Sequence, residues 1–289
     1  MDPTSQAIPD HGRRPSDEEI DVFGLTHQGA VRSRNDDHFL ICSLHKTVQV
    51  RATSLPSLEG LPRGDRLAFL AMVADGVGGL PAGHEASRLA VESLTRYVAS
   101  SLHCYQTADP EGEPAFSLAL QEAVMQAHEQ VIAAARAGGL GQIATTLTVL
   151  LTIWPRAFVV QVGDSRCYQL RAGVLRRITR DQTLAEALVA QGSLRRSQAE
   201  VSRLAHLLTS AVGGDDIMPV VSVIDMSWTD VLLLCSDGLT KHVSDDEIAE
   251  RLRTMSSAEQ ATRDLVAAAL ARGGTDNVTV LVGHAVNRT

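Results

Sequence analysis

The 289-residue chain has few aromatic residues and no excess of positive charge. Phe, Trp and Tyr make up 3% of it, and 34 acidic against 26 basic side chains leave a net charge of −8. Proteins that bind nucleic acid neutralise phosphates with basic residues, and those that bind single strands stack the bases on aromatic rings. We therefore expect no nucleic-acid partner.

Long hydrophobic runs are also missing. The longest, at residues 67–74 and 231–235, fall far short of the roughly 20 residues that cross a bilayer. The N-terminal segment has neither the basic nor the apolar part of a secretory signal. We predict no membrane contact, a cytoplasmic location, a flexible tail at residues 1–20 and a single domain at residues 21–286.

Cysteine is scarce and dispersed. The four cysteines form no C-x-x-C pair, and three of them lie in apolar stretches; they are Cys42, Cys104, Cys167 and Cys235. This usage fits a reducing compartment and argues against a structural zinc site.

Short runs rich in Val, Leu, Ile and Thr predict β-strands at residues 67–74, 145–153, 157–162, 231–235 and 278–282. Apolar residues at helical spacing predict two long helices, at about residues 86–102 and 120–135, after the first of these strands, and another helix at about 258–271. Thr183 and Ser244 each precede a glutamate by three residues, a pattern typical of a capped helix start. Residues 43–65 and 193–219 look irregular and are interpreted as insertions or loops.

Acidic residues recur where the predicted strands end. The motifs are Asn35-Asp36-Asp37, Ala74-Asp75-Gly76, Gly163-Asp164-Ser165, Ser236-Asp237-Gly238 and Thr275-Asp276-Asn277. One Asp-Gly alone is the commonest kind of turn. Several carboxylates at the ends of buried strands are costly to desolvate unless they bind a cation, and oxygen ligands favour Mg²⁺ or Mn²⁺. The triplet Asp245-Asp246-Glu247, in contrast, is explained by the cap of the helix that it begins.

These motifs, taken in order, resemble the protein phosphatase 2C family of metal-dependent Ser/Thr phosphatases, particularly its compact bacterial members. The resemblance covers residues 22–284 and includes Gly29-x-Val31-Arg32, Thr145-Thr146-Leu147, Gly163-Asp164-Ser165-Arg166 and Gly274-Thr275-Asp276-Asn277-Val278-Thr279. It implies an α+β fold, a four-layer αββα sandwich in which two antiparallel β-sheets are flanked by helix pairs.

The resemblance also implies a binuclear centre of two Mn²⁺ or Mg²⁺ ions and a third, weaker ion. Asp75 would bridge the two metals, Asp237 and Asp276 would complete one site, and Asp36 with the Gly76 carbonyl would serve the other. Asp164 with Asp237 would hold the third ion, Asp37 would hold a water of the centre, and Arg32 would bind the phosphate. A guanidinium suits that role because it donates two parallel hydrogen bonds and stays charged.

The function implied is hydrolysis of phosphoserine and phosphothreonine by direct attack of a water that two metals share. The partners would be phosphorylated proteins, substrates of a Ser/Thr kinase in signalling, and the enzyme would be a monomer. The alternative is a catalytically inactive phosphatase-like module that binds phosphoproteins and regulates them.

The sequence departs from the family pattern at two places. The first motif has Asp36 where glutamate is more usual, so Asp36 would bind metal either directly or through water. Val77 and Leu80 stand where family members often have histidine, so the acid that protonates the leaving group is open. His84 and a metal-bound water are the candidates, and a surface histidine without a catalytic role is the other interpretation of His84. Residues 193–219 match the segment that forms a flap beside the active site, and its basic residues Arg195 and Arg196 suggest a preference for acidic phosphopeptides.

Overall fold

A computed structural model describes residues 13–45, 48–54, 66–77, 81–100, 113–199 and 202–286 of the chain. Predictions for Leu80, Cys104 and residues 1–12 lie outside these residues.

In the described part of the chain, twelve strands and seven α-helices are present. The strands are β1 Ile20–His27, β2 Asp37–His45, β3 Val48–Thr53, β4 Arg66–Val77, β5 Ala144–Thr145, β6 Leu147–Ile153, β7 Arg156–Val162, β8 Arg166–Arg171, β9 Val174–Arg177, β10 Val220–Asp225, β11 Val231–Cys235 and β12 Val278–Ala285. The helices are α1 Pro81–Ser100, α2 Glu113–Gly138, α3 Leu184–Ala190, α4 Arg196–Ala199, α5 Asp237–Thr240, α6 Asp245–Arg253 and α7 Ala258–Ala271.

The strands form two antiparallel sheets. The larger has the order β10-β7-β6-β4-β2-β3, with β5 paired to β4, and the smaller has the order β1-β12-β11-β8-β9. Antiparallel pairing places the end of one strand beside the start of its neighbour. Loops that are distant in sequence are therefore brought together at each end of the sheets.

Three apolar cores separate four layers. On β2, Leu40 and Cys42 pack with α1 and α2, whereas Phe39 and Ile41 face the second sheet. The other face of the smaller sheet packs on α6 and α7. Because both faces of β2 are covered, the strand is a nearly continuous apolar run. The predicted α+β sandwich with flanking helix pairs is confirmed.

Two predicted irregular regions contain regular structure. Residues 43–45 complete β2 and residues 48–53 form β3 beside it, so the first part of the predicted insertion at 43–65 is a β-hairpin. The predicted tail at 1–20 also extends too far. Arg13 ion-pairs with Glu19, its carbonyl accepts a hydrogen bond from Trp228 Nε1, and Ile20 already begins β1.

Both predicted helix caps are present in part. The hydroxyls of Thr183 and Ser244 accept hydrogen bonds from the third backbone N–H of α3 and α6. The glutamates at these positions, however, form ion pairs with arginines, Glu186 with Arg196 and Glu247 with Arg251. In the described residues, no helix has the length and apolar character of a membrane span.

Candidate metal centre

The acidic motifs meet at one edge of the sandwich. Asp37 and Asp75 are direct partners in the antiparallel β2–β4 pair. Asp237 directly follows β11 and Asp276 shortly precedes β12, and these two strands are also antiparallel neighbours. Asp164 lies in the short turn between β7 and β8.

Asp37 joins the two sheets at this edge. Its Oδ2 accepts hydrogen bonds from Ser236 Oγ at 2.8 Å and Thr279 Oγ1 at 2.6 Å. Ser236 follows β11 and Thr279 lies in β12, both strands of the smaller sheet. Its Oδ1 is buried without a hydrogen-bond partner. Burial raises the pKa of Asp37 to about 7, against the effect of the two hydroxyls. The side chain is therefore fixed at one oxygen and unsatisfied at the other.

Asp75 has the most unfavourable electrostatic environment of the group. Its burial raises the pKa of the carboxyl well above the usual range, and the charges of Asp37, Asp237, Asp164 and Asp276 raise it further. Four carboxylates from separate segments thus act on one buried carboxyl. Such a cluster favours a bound cation, which would offset the repulsion.

Asp36 and Gly76 are held together through their backbones. Gly76 N–H and Ser87 Oγ donate to the Asp36 carbonyl at 3.2 and 2.6 Å, and Asp36 N–H donates to Asn277 Oδ1 at 2.8 Å. A Cβ on Gly76 would lie 2.3 Å from the Gly83 carbonyl oxygen at the start of α1, so only glycine fits. Burial raises the pKa of Asp36, whose buried Oδ1 accepts no hydrogen bond and lies 3.5 Å from Arg34 Nε.

Two basic side chains bind the remaining pair of aspartates. Lys241 Nζ lies 2.6 Å from Asp237 Oδ2 and 2.7 Å from Asp276 Oδ2. Arg32 Nε lies 2.7 Å from Asp276 Oδ1. Burial would raise the pKa of Asp276, but hydrogen bonds from Arg32 and Lys241 outweigh it and lower that pKa. The Asp237 Oδ1 atom is buried and has no partner.

Asp164 is positioned by a turn that requires glycine. Gly163 has φ +98°, and a Cβ there would lie 2.7 Å from Thr146 Cγ2. Burial raises the pKa of Asp164 to about 8, with a further contribution from Asp237. Asp164 and Asp237 are therefore electrostatic neighbours. That they hold a third ion stays a prediction.

The donor chemistry of this edge fits divalent cations. All the predicted ligands are oxygens, and three buried carboxylate oxygens, on Asp36, Asp37 and Asp237, have no hydrogen-bond partner. Hard ions such as Mg²⁺ and Mn²⁺ take such ligands. In the described part of the chain, no three acidic, histidine or cysteine side chains already enclose one point closely enough to hold an ion. In this structure Asp237 and Asp276 are paired with basic side chains.

Sequence analysis assigned no role to Lys241 or Asn277, although both belong to this site. Asn277 Nδ2 donates to the carbonyls of Gln28 and Arg34, each at 2.8 Å, and so fixes the loop that contains Arg32. Lys241 follows Asp237 by four residues, the spacing at which helical side chains meet. That spacing could have identified Lys241 as part of the site, whereas no local spacing predicts the long-range contacts of Asn277.

Comparison with known proteins decides the family. A sequence profile described as protein phosphatase 2C matches residues 59–272. The chain belongs to the protein phosphatase 2C family.

Named relatives are bacterial. The serine/threonine protein phosphatase PstP of Mycobacterium tuberculosis is 36% identical over 222 residues, 76% of this chain and 41% of PstP. This chain thus spans about two fifths of that relative's length. The serine/threonine phosphatase stp of Listeria welshimeri is 30% identical over 215 residues, 74% of this chain and 83% of stp. A crystal structure of the PstP catalytic domain in complex with two manganese ions superposes with a TM-score of 0.70, at 29% identity, and covers 93% of this chain and 99% of that chain.

Two features of this phosphatase 2C domain concern the leaving group. Val77 lies at the end of β4 and is 40% exposed. Because valine has no titratable group, this position supplies no acid. His84 is half-buried, with Nδ1 3.1 Å from the Asn35 carbonyl oxygen and its ring centroid 4.5 Å from that of His38. It therefore packs against the segment that contains Asp36 and is not a free surface side chain.

The predicted flap is anchored beside Asp164. Thr209 N–H donates to the Gln182 carbonyl at 2.9 Å, and Gln182 N–H donates to the Gly163 carbonyl at 3.0 Å. The flap contains α4 and a 3₁₀ turn at Arg203–His206. Arg196 ion-pairs with Glu186 of α3, so it braces the flap against the domain. Arg195 is exposed.

An apolar cavity of about 90 Å³ lies between the two sheets, lined by Phe69, Trp154, Leu232 and Leu281 among others. It adjoins the start of β4, whereas Asp75 is near that strand's end. An apolar cavity does not suit a charged ligand, and this one is separate from the acidic edge.

Proposed function

We propose that the protein is a metal-dependent protein Ser/Thr phosphatase that hydrolyses phosphoserine and phosphothreonine by direct attack of water. The observation that supports this most is the convergence on Asp75 of carboxylates from four other segments, beside the exposed guanidinium of Arg32. A cluster of buried acids with unsatisfied oxygens suits divalent cations, and the adjacent arginine suits a phosphate.

Two ions would be held by Asp75, one with Asp237 and Asp276 and the other with Asp36 and the Gly76 carbonyl. A third ion would be held by Asp164 and Asp237. When bound, Mn²⁺ or Mg²⁺ lowers the pKa of a shared water and neutralises charge on the phosphoryl group.

The chain's own residues orient the reactants. Asp37 is fixed through Oδ2 by Ser236 and Thr279, which leaves Oδ1 as an acceptor that holds a water in place. The Arg32 side chain is 45% exposed. It can therefore turn from Asp276 to donate two hydrogen bonds to the phosphoryl oxygens. Asn277 helps to position both Arg32 and Asp37, because it bonds to the loop of Arg32 and to the backbone of Asp36, the residue before Asp37.

The substrates we propose are phosphorylated proteins, products of a Ser/Thr kinase. The names of the bacterial relatives, all Ser/Thr phosphatases, support this class. That the protein acts as a monomer in the cytoplasm stays a prediction.

The test is phosphate release from p-nitrophenyl phosphate and from a phosphothreonine peptide, measured with Mn²⁺, with Mg²⁺ and with excess EDTA. We expect turnover of both substrates with metal and none with EDTA. Asp237→Asn should fold with an unchanged circular dichroism spectrum and lose turnover, because it removes a charge from a proposed ligand.

No turnover with either metal, in a protein shown to be folded, would overturn the proposal. If the folded protein then still bound a phosphothreonine peptide, the inactive regulatory module would replace it. Full activity of Asp237→Asn would overturn the assignment of the metal ligands.

A further inference from the structure

Lys241 forms a bridge between two predicted metal ligands that lie 39 positions apart in the chain. Its ammonium contacts one oxygen of Asp237 and one of Asp276, at 2.6 and 2.7 Å. Its side chain is 24% exposed. Burial alone would lower the pKa of Lys241, but the two carboxylates outweigh it and raise that pKa above its usual range. The residue is therefore a charged group inside the acidic edge.

The residue type at this position is unusual for the chain. Of its 26 basic side chains only two are lysines, Lys46 and Lys241. An arginine would bind one carboxylate with two parallel hydrogen bonds, as Arg166 does with Asp181. A lysine ammonium is a compact charge on a flexible stem, which can bridge two acids and can also move away from them.

The local backbone explains how Lys241 reaches both acids. Lys241 follows the last residue of α5, and its backbone N–H donates to the Asp237 carbonyl at 2.9 Å. The i, i+4 spacing stacks its side chain over Asp237. Asp276 precedes β12, whose backbone pairs with β11 just before α5. The bridge therefore ties the two loops that contain the first proposed metal site.

We propose that Lys241 is a counter-ion of the metal-free protein. It neutralises Asp237 and Asp276 before metal binds, and an incoming divalent cation displaces it. The inference rests on the proposed metal centre and adds to it a residue that opposes loading. A dication and an ammonium that share two carboxylates repel each other, so binding of the metal must include the cost of moving Lys241. Asp237 Oδ1 is buried and accepts no hydrogen bond, so this carboxylate keeps one oxygen that Lys241 does not occupy.

Two opposite effects follow when the charge is removed. Without metal, Lys241→Met leaves Asp237 and Asp276 repelling each other, so we expect the melting temperature in EDTA to fall. With metal, the competing charge is gone, so we expect Mn²⁺ to bind about tenfold more tightly. The measurements are thermal melting in EDTA and isothermal titration of the metal-free protein with Mn²⁺, neither of which needs turnover.

Three further variants make the test specific. Lys241→Arg keeps the competing positive charge and should therefore not tighten the binding of Mn²⁺, in contrast to the neutral variants. Arg96→Gln removes a charge from a surface i, i+4 pair with Glu92 and should change neither quantity. Lys241→Gln is the neutral variant to use if Lys241→Met does not fold.

The outcomes separate this inference from the proposed function. If the wild type does not bind Mn²⁺, the proposed metal centre itself fails. If the wild type binds Mn²⁺ but the neutral variants bind it equally or more weakly, the centre stands and the counter-ion role is wrong. A neutral variant with unchanged Mn²⁺ affinity and a higher KM for phosphopeptide would make Lys241 a substrate-binding residue and would also overturn the proposal.

Discussion

Asp37 and Asp75 occupy directly opposed positions on the antiparallel strands β2 and β4. Asp37 is buried and Asp75 is half-buried, and the pKa of each is raised, first by burial and then by neighbouring acids. Like charges opposite each other on a sheet destabilise it. The fold therefore holds these two acids together at a cost in stability, which a bound cation would offset.

This arrangement predicts that Asp75→Asn stabilises the metal-free protein while it abolishes metal binding. The neutral amide removes the repulsion from Asp37, Asp237 and the other acids. We expect the melting temperature in EDTA to rise by about 2–4 °C, which corresponds to roughly 1 kcal/mol in a domain of this size. Calorimetry in EDTA and titration with Mn²⁺ are the measurements.

Asp230 offers a control, because its side chain is buried and fully paired. It accepts hydrogen bonds from Arg171, Gln169 and the backbone N–H of Ser227. Asp230→Asn should therefore lower the melting temperature, since it removes the buried carboxylate charge that pairs with Arg171 and accepts hydrogen bonds from Gln169 and Ser227. A fall in melting temperature in both variants would show that the acids near Asp75 do not repel it.

The stability of the metal-free protein should decrease with pH above neutrality. The folded pKa is about 7 for Asp37 and about 8 for Asp164, against 3.8 without the fold. Protons therefore bind more tightly to the folded state and stabilise it. This stabilisation is complete below pH 4 and is lost as the pH rises through 7 and 8. His38, whose folded pKa of about 4 has the opposite effect, is half-protonated at pH 6.5 only in the unfolded chain, so it adds a small rise in stability that ends about one pH unit higher.

Melting temperatures in EDTA between pH 6.5 and 8.0 measure this effect. We expect a fall over that interval in the wild type, a smaller fall in Asp164→Asn, and none with saturating Mn²⁺, because bound metal keeps the carboxylates ionised. A melting temperature that rises with pH in EDTA would contradict the raised pKa of both acids.

Features that depend on local sequence patterns can be predicted from the sequence, whereas features that depend on contacts between distant residues cannot. The strands and the acidic motifs are local patterns that the sequence shows directly, whereas the sandwich fold and the meeting of Asp75, Asp237 and Asp276 were implied by the resemblance to the protein phosphatase 2C family. The ordered segment before Ile20 could not, because it depends on Trp228, which is more than 200 residues away. The hairpin after β2 was also missed, since only its pairing with Ile41 and neighbouring residues defines β3.

Gly76 should not tolerate a side chain. The Cβ of Gly76→Ala would lie 2.3 Å from the carbonyl oxygen of Gly83, a backbone atom that cannot move without the start of α1. We expect a loss of about 1–3 kcal/mol in the free energy of unfolding, as is typical of overpacking. Binding of Mn²⁺ should also weaken, because the Gly76 backbone is bonded to that of Asp36.

Gly138→Ala is the control for this substitution. The added Cβ would meet only the Leu140 side chain, at 3.3 Å, at the end of α2. We expect a change within about 0.5 kcal/mol in the free energy of unfolding, measured by urea denaturation. Equal effects of the two substitutions would contradict a specific backbone contact at Gly76.

The basic residues of the flap should differ in their roles. In the described residues, Arg195 pairs with no acidic side chain, whereas Arg196 pairs with Glu186. We expect Arg195→Ala to reduce kcat/KM for an acidic phosphothreonine peptide by roughly threefold to fivefold, because one favourable long-range charge is lost. Turnover of p-nitrophenyl phosphate, which is too small to reach the flap, should not change.

Arg196→Ala should instead act on the position of the flap. Loss of the ion pair with Glu186 frees α4 from α3, so we expect faster proteolysis within residues 193–219 together with the change in peptide turnover. Arg96→Ala, on the surface of α1, should change neither measurement. If Arg195→Ala reduced turnover of peptide and aryl phosphate equally, the flap would act on the reaction centre itself and not on substrate preference.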